Sequence, residues 1–209
     1  MTNPTQHNHG LVRNPELAAI LKADGLRQLA FMPLAANDDY FMVSTVPSDV
    51  GENKTSALLA ADMTLAYCPG WPVVPTMAFT DAAADNWTAV SATFIGIDQF
   101  GDPIEETVAS ASSATPWAIT ATKAFQSFIS IGFTITGTTT SSDRYKMGYA
   151  KTYGLGCKPK SSAEVIATLF NGAADAGTLS LVHYTYIPAG TPDAAKELIL
   201  LMRPTGHLN

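Results

Sequence analysis

Histidine and cysteine are the side chains that could carry nucleophilic or metal chemistry in this chain, and there are few of them. The sequence has four histidines and two cysteines: His7, His9, His183, His207, Cys68 and Cys157. No two of them have the spacing of a metal-ligand pair. The first two histidines lie in a polar N-terminal segment that cannot hold a preorganised site. We therefore expect no metal site.

His183 is the one histidine inside a predicted strand. It has the same parity as Leu179 and Leu181, which predicts a hydrogen-bonded histidine in the interior or at an interface. A nucleophile pair of Cys157 and His183 is the alternative, although no local motif supports it. We expect both cysteines to be free thiols, with a disulfide between Cys68 and Cys157 as the other possibility.

A glycine-rich segment resembles a phosphate-binding loop but fails on its chemistry. Residues 154–161 read GLGCKPKS, and Pro159 stands where a phosphate loop needs glycine before its Lys-Ser pair. Proline has no backbone N–H to offer a phosphate. We therefore expect a turn that leaves a strand.

The paired carboxylates also fail as catalytic groups. Glu105 and Glu106 are adjacent, so on a strand they point to opposite faces and cannot act together as acid and base. Asp81 and Asp85 flank an alanine-rich turn, where turn chemistry is a simpler role than a weak cation site. The sequence thus predicts no catalytic centre, no enzyme activity and no cofactor.

Composition limits the partners. Charged residues make up 14% of the chain, against about a quarter in an average protein. Twelve Lys and Arg are scattered among eighteen Asp and Glu, for a net charge of −6, whereas a duplex-binding protein usually carries a basic stripe. A surface short of charge fits one that other subunits cover. We expect protein partners and no nucleic acid.

Hydropathy gives no sign of a membrane protein. No apolar stretch reaches the roughly 18–20 residues of a membrane-spanning helix. The polar N-terminus lacks the charged start and apolar core of a signal peptide. We expect synthesis and folding in a cytoplasm and no membrane partner.

The first 58 residues are predicted as one region, made of an arm, a short helix and an extended segment. Residues 1–13 are polar. An N-cap, proline and acid then start a helix at Asn14, with Leu17, Ile20 and Leu21 at helical spacing. Residues 33–58 are loop-rich, with one strand expected near 40–45.

Residues 59–209 are predicted as an antiparallel β-sandwich or jelly-roll-like body, so the chain is mainly β. About seven to nine short strands separated by turns are typical of a sandwich, jelly roll or open barrel. Apart from a proline-containing edge strand or connection at 71–80, we expect strands at 87–98, 104–108, 117–136, 145–153, 179–187 and 197–202. Segment 162–170 fits a helix or a strand, and helix remains possible at 193–202.

Two of these strands show which face should be buried. Val90, Ala92 and Phe94 alternate on one face of the strand at 87–98, which should turn back as a hairpin. In the second half of 117–136, one face carries Ile129, Ile131, Phe133 and Ile135 and the other is polar.

Three sequence blocks, in order, resemble small virion proteins of tailed bacteriophages. The first, residues 96–107, reads GIDQFGDPIEET and resembles their G-T-D-x-F-G-x-P-x-x-E hairpin. The second, residues 122–131, reads TKAFQSFISI and is similar to their T-K-A-F-x-x-V-x-S-I strand. The third, residues 145–155, reads YKMGYAKTYGL and resembles their V-G-x-G-x-x-Y-G-L segment.

The resemblance implies an all-β structural component of a phage particle. The function it favours is a decoration (cement) protein on the capsid exterior, which binds the major capsid protein lattice and clamps adjacent subunits as a homotrimer. Residues 1–45 are expected to make the contact, and removal of residues 1–31 to leave a folded protein that no longer binds heads. The candidate contact residues are Leu17, Ile20, Leu21, Phe31, Tyr40 and Phe41, each with core packing as its alternative role.

Two other functions stay open. A tail tube or head–tail connector protein would form rings from the same kind of β-body. A cytoplasmic jelly-roll protein or enzyme for a small ligand would place His183 in a pocket.

Overall fold

The computed structural model describes residues 26–45, 51–59, 70–82, 87–110 and 117–203. The predicted arm, the helix after Asn14 and Cys68 lie outside these residues. The strands, in chain order, are β1 (Arg27–Phe31), β2 (Asn37–Thr45), β3 (Gly51–Leu59), β4 (Val73–Thr80), β5 (Trp87–Asp98), β6 (Pro103–Ser110), β7 (Trp117–Thr120), β8 (Phe125–Thr139), β9 (Arg144–Gly154), β10 (Val165–Phe170), β11 (Ala173–Ala174), β12 (Thr178–Ser180), β13 (Thr185–Ile187) and β14 (Leu198–Met202). The chain is mainly β with antiparallel pairing, as predicted.

The chain divides into two compact units. The larger unit spans residues 36–156, and the smaller unit combines the residues before 36 with those from 157 onward. Segment 37–59, which the sequence groups with the arm, supplies β2 and β3 to the sheet of the larger unit. The strand expected near 40–45 is thus confirmed as part of β2.

The larger unit has two antiparallel ladders, β6-β5-β8-β3 and β7-β4-β9-β2. They are joined where Val73 of β4 pairs with Phe125 of β8. Their inner faces share an aromatic core, in which the rings of Phe79 and Phe133 lie 5.6 Å apart. Apolar burial between the two ladders of this curled sheet therefore holds the unit together, which is consistent with the predicted sandwich.

The hairpin and its buried face are confirmed. β5 and β6 pair from Val90 with Ser110 to Ile97 with Pro103. Val90, Ala92 and Phe94 are all buried. The alternation of the sequence is enough here because neither strand contains a bulge along this pairing.

One member of the second apolar face is wrong. Ile131, Phe133 and Ile135 are buried, but Ile129 is 53% exposed. β5 pairs Ile95 with Ser130 and Gly96 with residue 128, so β8 has one residue more than its partner at this point. A β-bulge changes the parity of the strand, which a strict alternation cannot show.

The predicted edge position of segment 71–80 is also wrong. β4 lies between β9 and β7. A register shift falls between Val73 and Pro75. The ladder is already irregular there, so the missing N–H of the proline removes no regular ladder hydrogen bond. The carbonyl of Pro75 still accepts a hydrogen bond from the N–H of Ala121 at 3.1 Å.

Two long predicted strands are interrupted. Segment 117–136 divides into β7 and β8, with a turn at residues 121–124. Segment 179–187 is a hairpin of β12 and β13, with a turn at 181–184 in which Tyr184 has a φ of 53°. Such short strands explain why fourteen occur in the described residues rather than the smaller number expected.

The smaller unit contains a four-stranded antiparallel sheet in the order β1-β14-β10-β11. Leu198, Leu200 and Met202 of β14 are buried, so the strand alternative is confirmed for the last segment. Segment 162–170 combines both alternatives, because a 3₁₀ turn at Ser162–Glu164 leads directly into β10.

Candidate functional site

The three sequence blocks meet at one corner of the larger unit. In the first block, a carboxylate closes the turn between β5 and β6. Oδ1 of Asp98 accepts hydrogen bonds from the N–H groups of Phe100 at 2.7 Å and Asp102 at 2.9 Å. Gly101 has a φ of 92°, which favours glycine. The G-x-D-x-F-G-x-P pattern therefore builds a defined turn.

Glu106 joins the first block to the second. Its carboxylate accepts hydrogen bonds from the N–H of Thr122 at 2.8 Å, the hydroxyl of Thr122 at 2.6 Å and the N–H of Lys123 at 3.0 Å. The partner strand places Glu106 opposite buried Phe94, so this carboxylate lies on the core side of an edge strand. It therefore fastens β6 to the turn between β7 and β8.

Gln99 of the first block lies beside the end of the third. Its Oε1 accepts a hydrogen bond at 2.9 Å from the N–H of Gly156, the residue that follows the third block. A Cβ on Gly154 would lie 2.7 Å from the same oxygen and 3.0 Å from Cβ of Ala124. The same Cβ would lie 2.9 Å from Cβ of Pro72, which is outside the three blocks, so close packing against Pro72, Gln99 and Ala124 together favours glycine at this position.

The chemistry of this corner is structural. Asp98 and Glu106 direct their carboxylates at backbone N–H groups, which stabilises turns and holds neighbouring strands. Glu105 and Glu106 point to opposite faces, as the strand pattern predicts. In this chain, the three blocks therefore share one role, which is to close turns and hold neighbouring strands at this corner.

Five of the six predicted contact residues fall into two groups. Leu17, Ile20 and Leu21 lie outside the described residues. Phe31 and Phe41 are buried, Phe41 completely, and the rings of Phe41 and Phe128 lie 4.9 Å apart. For these two, the structure favours core packing, the alternative role given by the sequence.

Tyr40 takes an intermediate position. It is half-buried, and its ring meets those of Phe41 and Tyr149 edge-on, each at 5.1 Å. Of the described candidates, it alone combines exposed surface with a fixed ring position. It remains a predicted contact.

His183 and Cys157 do not form the nucleophile pair considered above. His183 lies in the β12–β13 turn rather than inside a strand, and its N–H donates to the hydroxyl of Ser180 at 3.2 Å. The Cys157 thiol is buried and unbridged, 3.5 Å from the sulfur of Met202. Burial raises the pKa of this thiol to about 11, and the nearby Glu164 adds to the shift while Arg27 opposes it. Such a thiol is a poor nucleophile.

The glycine-rich segment after β9 is a turn, as predicted. Gly156 has a φ of 62°, and Pro159 is buried. The N–H of Lys160 donates to the carboxylate of Glu164 at 2.9 Å, so an acidic group occupies the position that a phosphate would need.

Two buried aspartates close turns at the C-terminal end of β4 and just before β9. Asp143 is fully buried and accepts hydrogen bonds from the N–H groups of Thr140 at 2.5 Å and Ala82 at 3.0 Å. Asp81 accepts one from the N–H of Trp87 at 3.2 Å. The turn role predicted for Asp81 fits this arrangement, and Asp85 lies outside the described residues.

A shallow basic groove on the larger unit was missed by the sequence analysis. It has a volume of about 160 Å³ and is lined by Ser44, Ala78, Thr80, Arg144, Tyr145 and Lys146. Arg144 and Lys146 are two residues apart on β9, so both side chains leave the same face of the sheet. Arg144 directly precedes the predicted strand 145–153 and Lys146 lies inside it, so this spacing is the signal that could have found the groove.

Searches for other kinds of site gave negative results within the described part of the chain. There, no three His, Cys, Asp or Glu side chains come together in a way that could hold a metal ion. None of the described helical segments has the length and hydropathy of a membrane-spanning helix. The chain matches no family model, no curated protein sequence and no solved structure.

Proposed function

We propose that this chain is a structural protein of a phage particle that decorates the capsid exterior and clamps adjacent capsid subunits. The observation that carries the proposal is the corner at which the three phage-like sequence blocks meet. Glu106 bonds the first block to the second, and Gly154 of the third block packs closely against Gln99 and Ala124 of the other two. Three blocks that depend on one another physically are a stronger likeness than three independent short matches.

The outer face of the β6-β5-β8 ladder also supports the proposal. Its paired residues include Ser91 with Thr134 and Thr93 with Thr107, and the two hydroxyl oxygens of the second pair lie 2.8 Å apart. These four side chains are small and uncharged, and Glu105 of β6 lies on the same face. The core of a protein–protein interface is depleted in charge, which the Ser and Thr pairs fit.

The proposed mechanism is thermodynamic. A protein that binds the assembled lattice, but not free capsid subunits, stabilises the lattice by mass action. Rigid β-ladders suit such a clamp, because little conformational entropy is lost when a preformed surface binds. As a homotrimer, the protein would engage three neighbouring subunits at once, which raises the avidity.

The test combines mass and binding measurements on the full chain. Light scattering after size exclusion is expected to give a species of three times 22.1 kDa. The purified protein should sediment with emptied heads of the phage that carries the coding sequence and should raise their disassembly temperature. Rings or long polymers with no head binding would instead favour the tail tube or connector.

The contact predicted for the first residues needs a truncation that respects the fold. Removal of residues 1–31 would delete β1, in which Ala30 and Phe31 are buried. Deletion of residues 1–25 keeps β1 and is expected to leave the fold intact while abolishing head binding. Unchanged binding of this variant would contradict the predicted contact, although not decoration itself.

A small-ligand protein is the alternative from another class. A melting shift with a sugar, nucleotide or metal ion that His183→Ala abolishes would favour it. We expect no such shift, because His183 lies in a hairpin turn whose neighbour Val182 is 79% exposed.

A further inference from the structure

The basic groove on the larger unit has a floor of small side chains. β4 pairs Ala78 with Lys146 and Thr80 with Arg144, so small and basic residues alternate across the two strands on one face. The cations form walls beside the small residues, which leaves the volume of about 160 Å³. That volume can take the end of one acidic side chain, but not a folded domain.

Arg144 is oriented for a ligand. Its Nη1 donates to the backbone carbonyls of Ser141 at 2.8 Å and Asp143 at 2.7 Å. These two bonds fix the plane of the guanidinium and use both Nη1 hydrogens. The Nε and Nη2 hydrogens form the edge of the guanidinium that can hold a carboxylate with two parallel hydrogen bonds. Among the described residues, neither Nε nor Nη2 has a protein acceptor.

Lys146 adds a second cation, which forms an ion pair with Asp38. Its Nζ lies 2.5 Å from Oδ2 of Asp38, and both side chains keep exposed surface. Lys146 can therefore exchange or share its partner when an external carboxylate enters the groove.

We propose that the Arg144–Lys146 groove binds an Asp or Glu side chain of an exposed acidic segment on a neighbouring protein. The proposal rests on the proposed function only in identifying that neighbour as another virion protein. Nucleic acid is disfavoured, because two cations beside Asp38 on a chain of net charge −6 do not make the basic stripe that phosphate backbones need. Charge complementarity with bidentate geometry instead favours a carboxylate.

The test titrates the isotope-labelled full chain with a blocked tetraglutamate peptide and follows backbone amide shifts by NMR. We expect saturable shifts confined to Ser44, Ala78, Thr80 and residues 144–146. The affinity should fall about tenfold between 0.05 and 0.5 M salt, since exposed ion pairs are screened. A blocked tetraglutamine peptide should give no shifts.

Variants assign the binding to the two cations. Arg144→Lys keeps the charge but removes the fork, so we expect about tenfold weaker binding. Asp38→Asn releases Lys146 and should strengthen binding severalfold. Lys151→Gln removes one positive charge from the same strand outside the groove and should leave the affinity unchanged. Equal effects of Arg144→Lys and Lys151→Gln would overturn the proposal.

Other probes separate the possible ligands. If sodium acetate at equal carboxylate concentration moves the same amides as far as tetraglutamate, the groove takes small anions, and a protein partner is refuted. Stronger binding of a thymidine tetranucleotide would likewise refute it. Peptide binding without head binding would leave the groove assigned and overturn the proposed function, whereas the reverse result would overturn only the groove.

Discussion

Replacing Glu106 with alanine is the sharpest test of the corner at which the three blocks meet. The variant removes one acceptor group and three hydrogen bonds, two from Thr122 and one from Lys123. It keeps the backbone pairing of β6 with β5, which needs no side chain. The expected result is a folded protein in which the turn between β7 and β8 is no longer held to β6.

The size of the effect follows from the exposure of these groups. Hydrogen bonds to a charged group contribute about 1.5–3 kcal/mol each when water is excluded. Thr122 is exposed and Glu106 half-buried, so water replaces much of what is lost. We therefore expect about 2 kcal/mol in total, well below the roughly 4.5–9 kcal/mol that three such bonds would give with water excluded. In a chain of this size that corresponds to a fall of roughly 4–8 °C in Tm.

The assay compares thermal unfolding of Glu106→Ala with that of Glu105→Ala. The control removes the same charge from the next residue, whose side chain is exposed and points away from the core. Amide hydrogen exchange should accelerate at Thr122 and Lys123 in the first variant only. A double-mutant cycle of Glu106 with Thr122 should give a coupling of about 0.5 kcal/mol or more. Equal stability of the two glutamate variants, or zero coupling, would refute the reasoning.

Three further predictions concern packing, pH and a side-chain hydroxyl. Gly148→Ala should cost about 3 kcal/mol or more by denaturant unfolding, because its Cβ would overlap the β2 backbone, whereas Gly132→Ala, with open space around it, should cost less than 0.5. Because the pKa of Cys157 is raised in the folded state, the contribution of its thiol to the free energy of unfolding is full below pH 9 and is lost as pH rises toward 11. Wild type should thus lose about 2 kcal/mol more than Cys157→Ala between pH 8 and 11, and parallel curves would contradict this. Tyr186→Phe removes the 2.7 Å hydrogen bond to Oδ2 of Asp175 and should cost about 1–2 kcal/mol, checked by exchange of the amides around that loop.

The parts of the fold that sequence predicts well are those with a local cause. The β5–β6 hairpin follows from the alternation of Val90, Ala92 and Phe94 and from a turn with Asp98 and Gly101. Both signals lie within a few residues of the structure they produce. The register of the hairpin needs no information from elsewhere in the chain.

The parts that sequence misses depend on a partner strand. Ile129 is exposed because β5 imposes a bulge on β8, and Pro75 is central because a register shift accommodates it. No neighbouring residue in the sequence indicates the bulge at Ile129 or the register shift at Pro75. Phe41 shows the same limit for the candidate site, since its complete burial depends on rings contributed by β8 and β9.

The groove residues occupy a middle position. The Arg-x-Lys spacing of Arg144 and Lys146 is visible in the sequence, and a strand there was predicted. The fork of Arg144 becomes recognisable only when the carbonyls of Ser141 and Asp143 are seen to hold its other edge. Sequence could therefore predict two cations on one face, but not the preorganised donor pair.

The pairing of β1 with β14 has a consequence for synthesis. Arg27 pairs with Met202 and Phe31 with Leu198, so β1 is synthesised well before the strand with which it pairs. The larger unit, residues 36–156, is complete before β14 leaves the ribosome, and domains fold as units during synthesis. Until then β1 lacks the strand that occupies its ladder, and its backbone groups are open to pairing with other nascent chains. On a crowded polysome, therefore, the smaller unit is the part of the protein most exposed to misassembly.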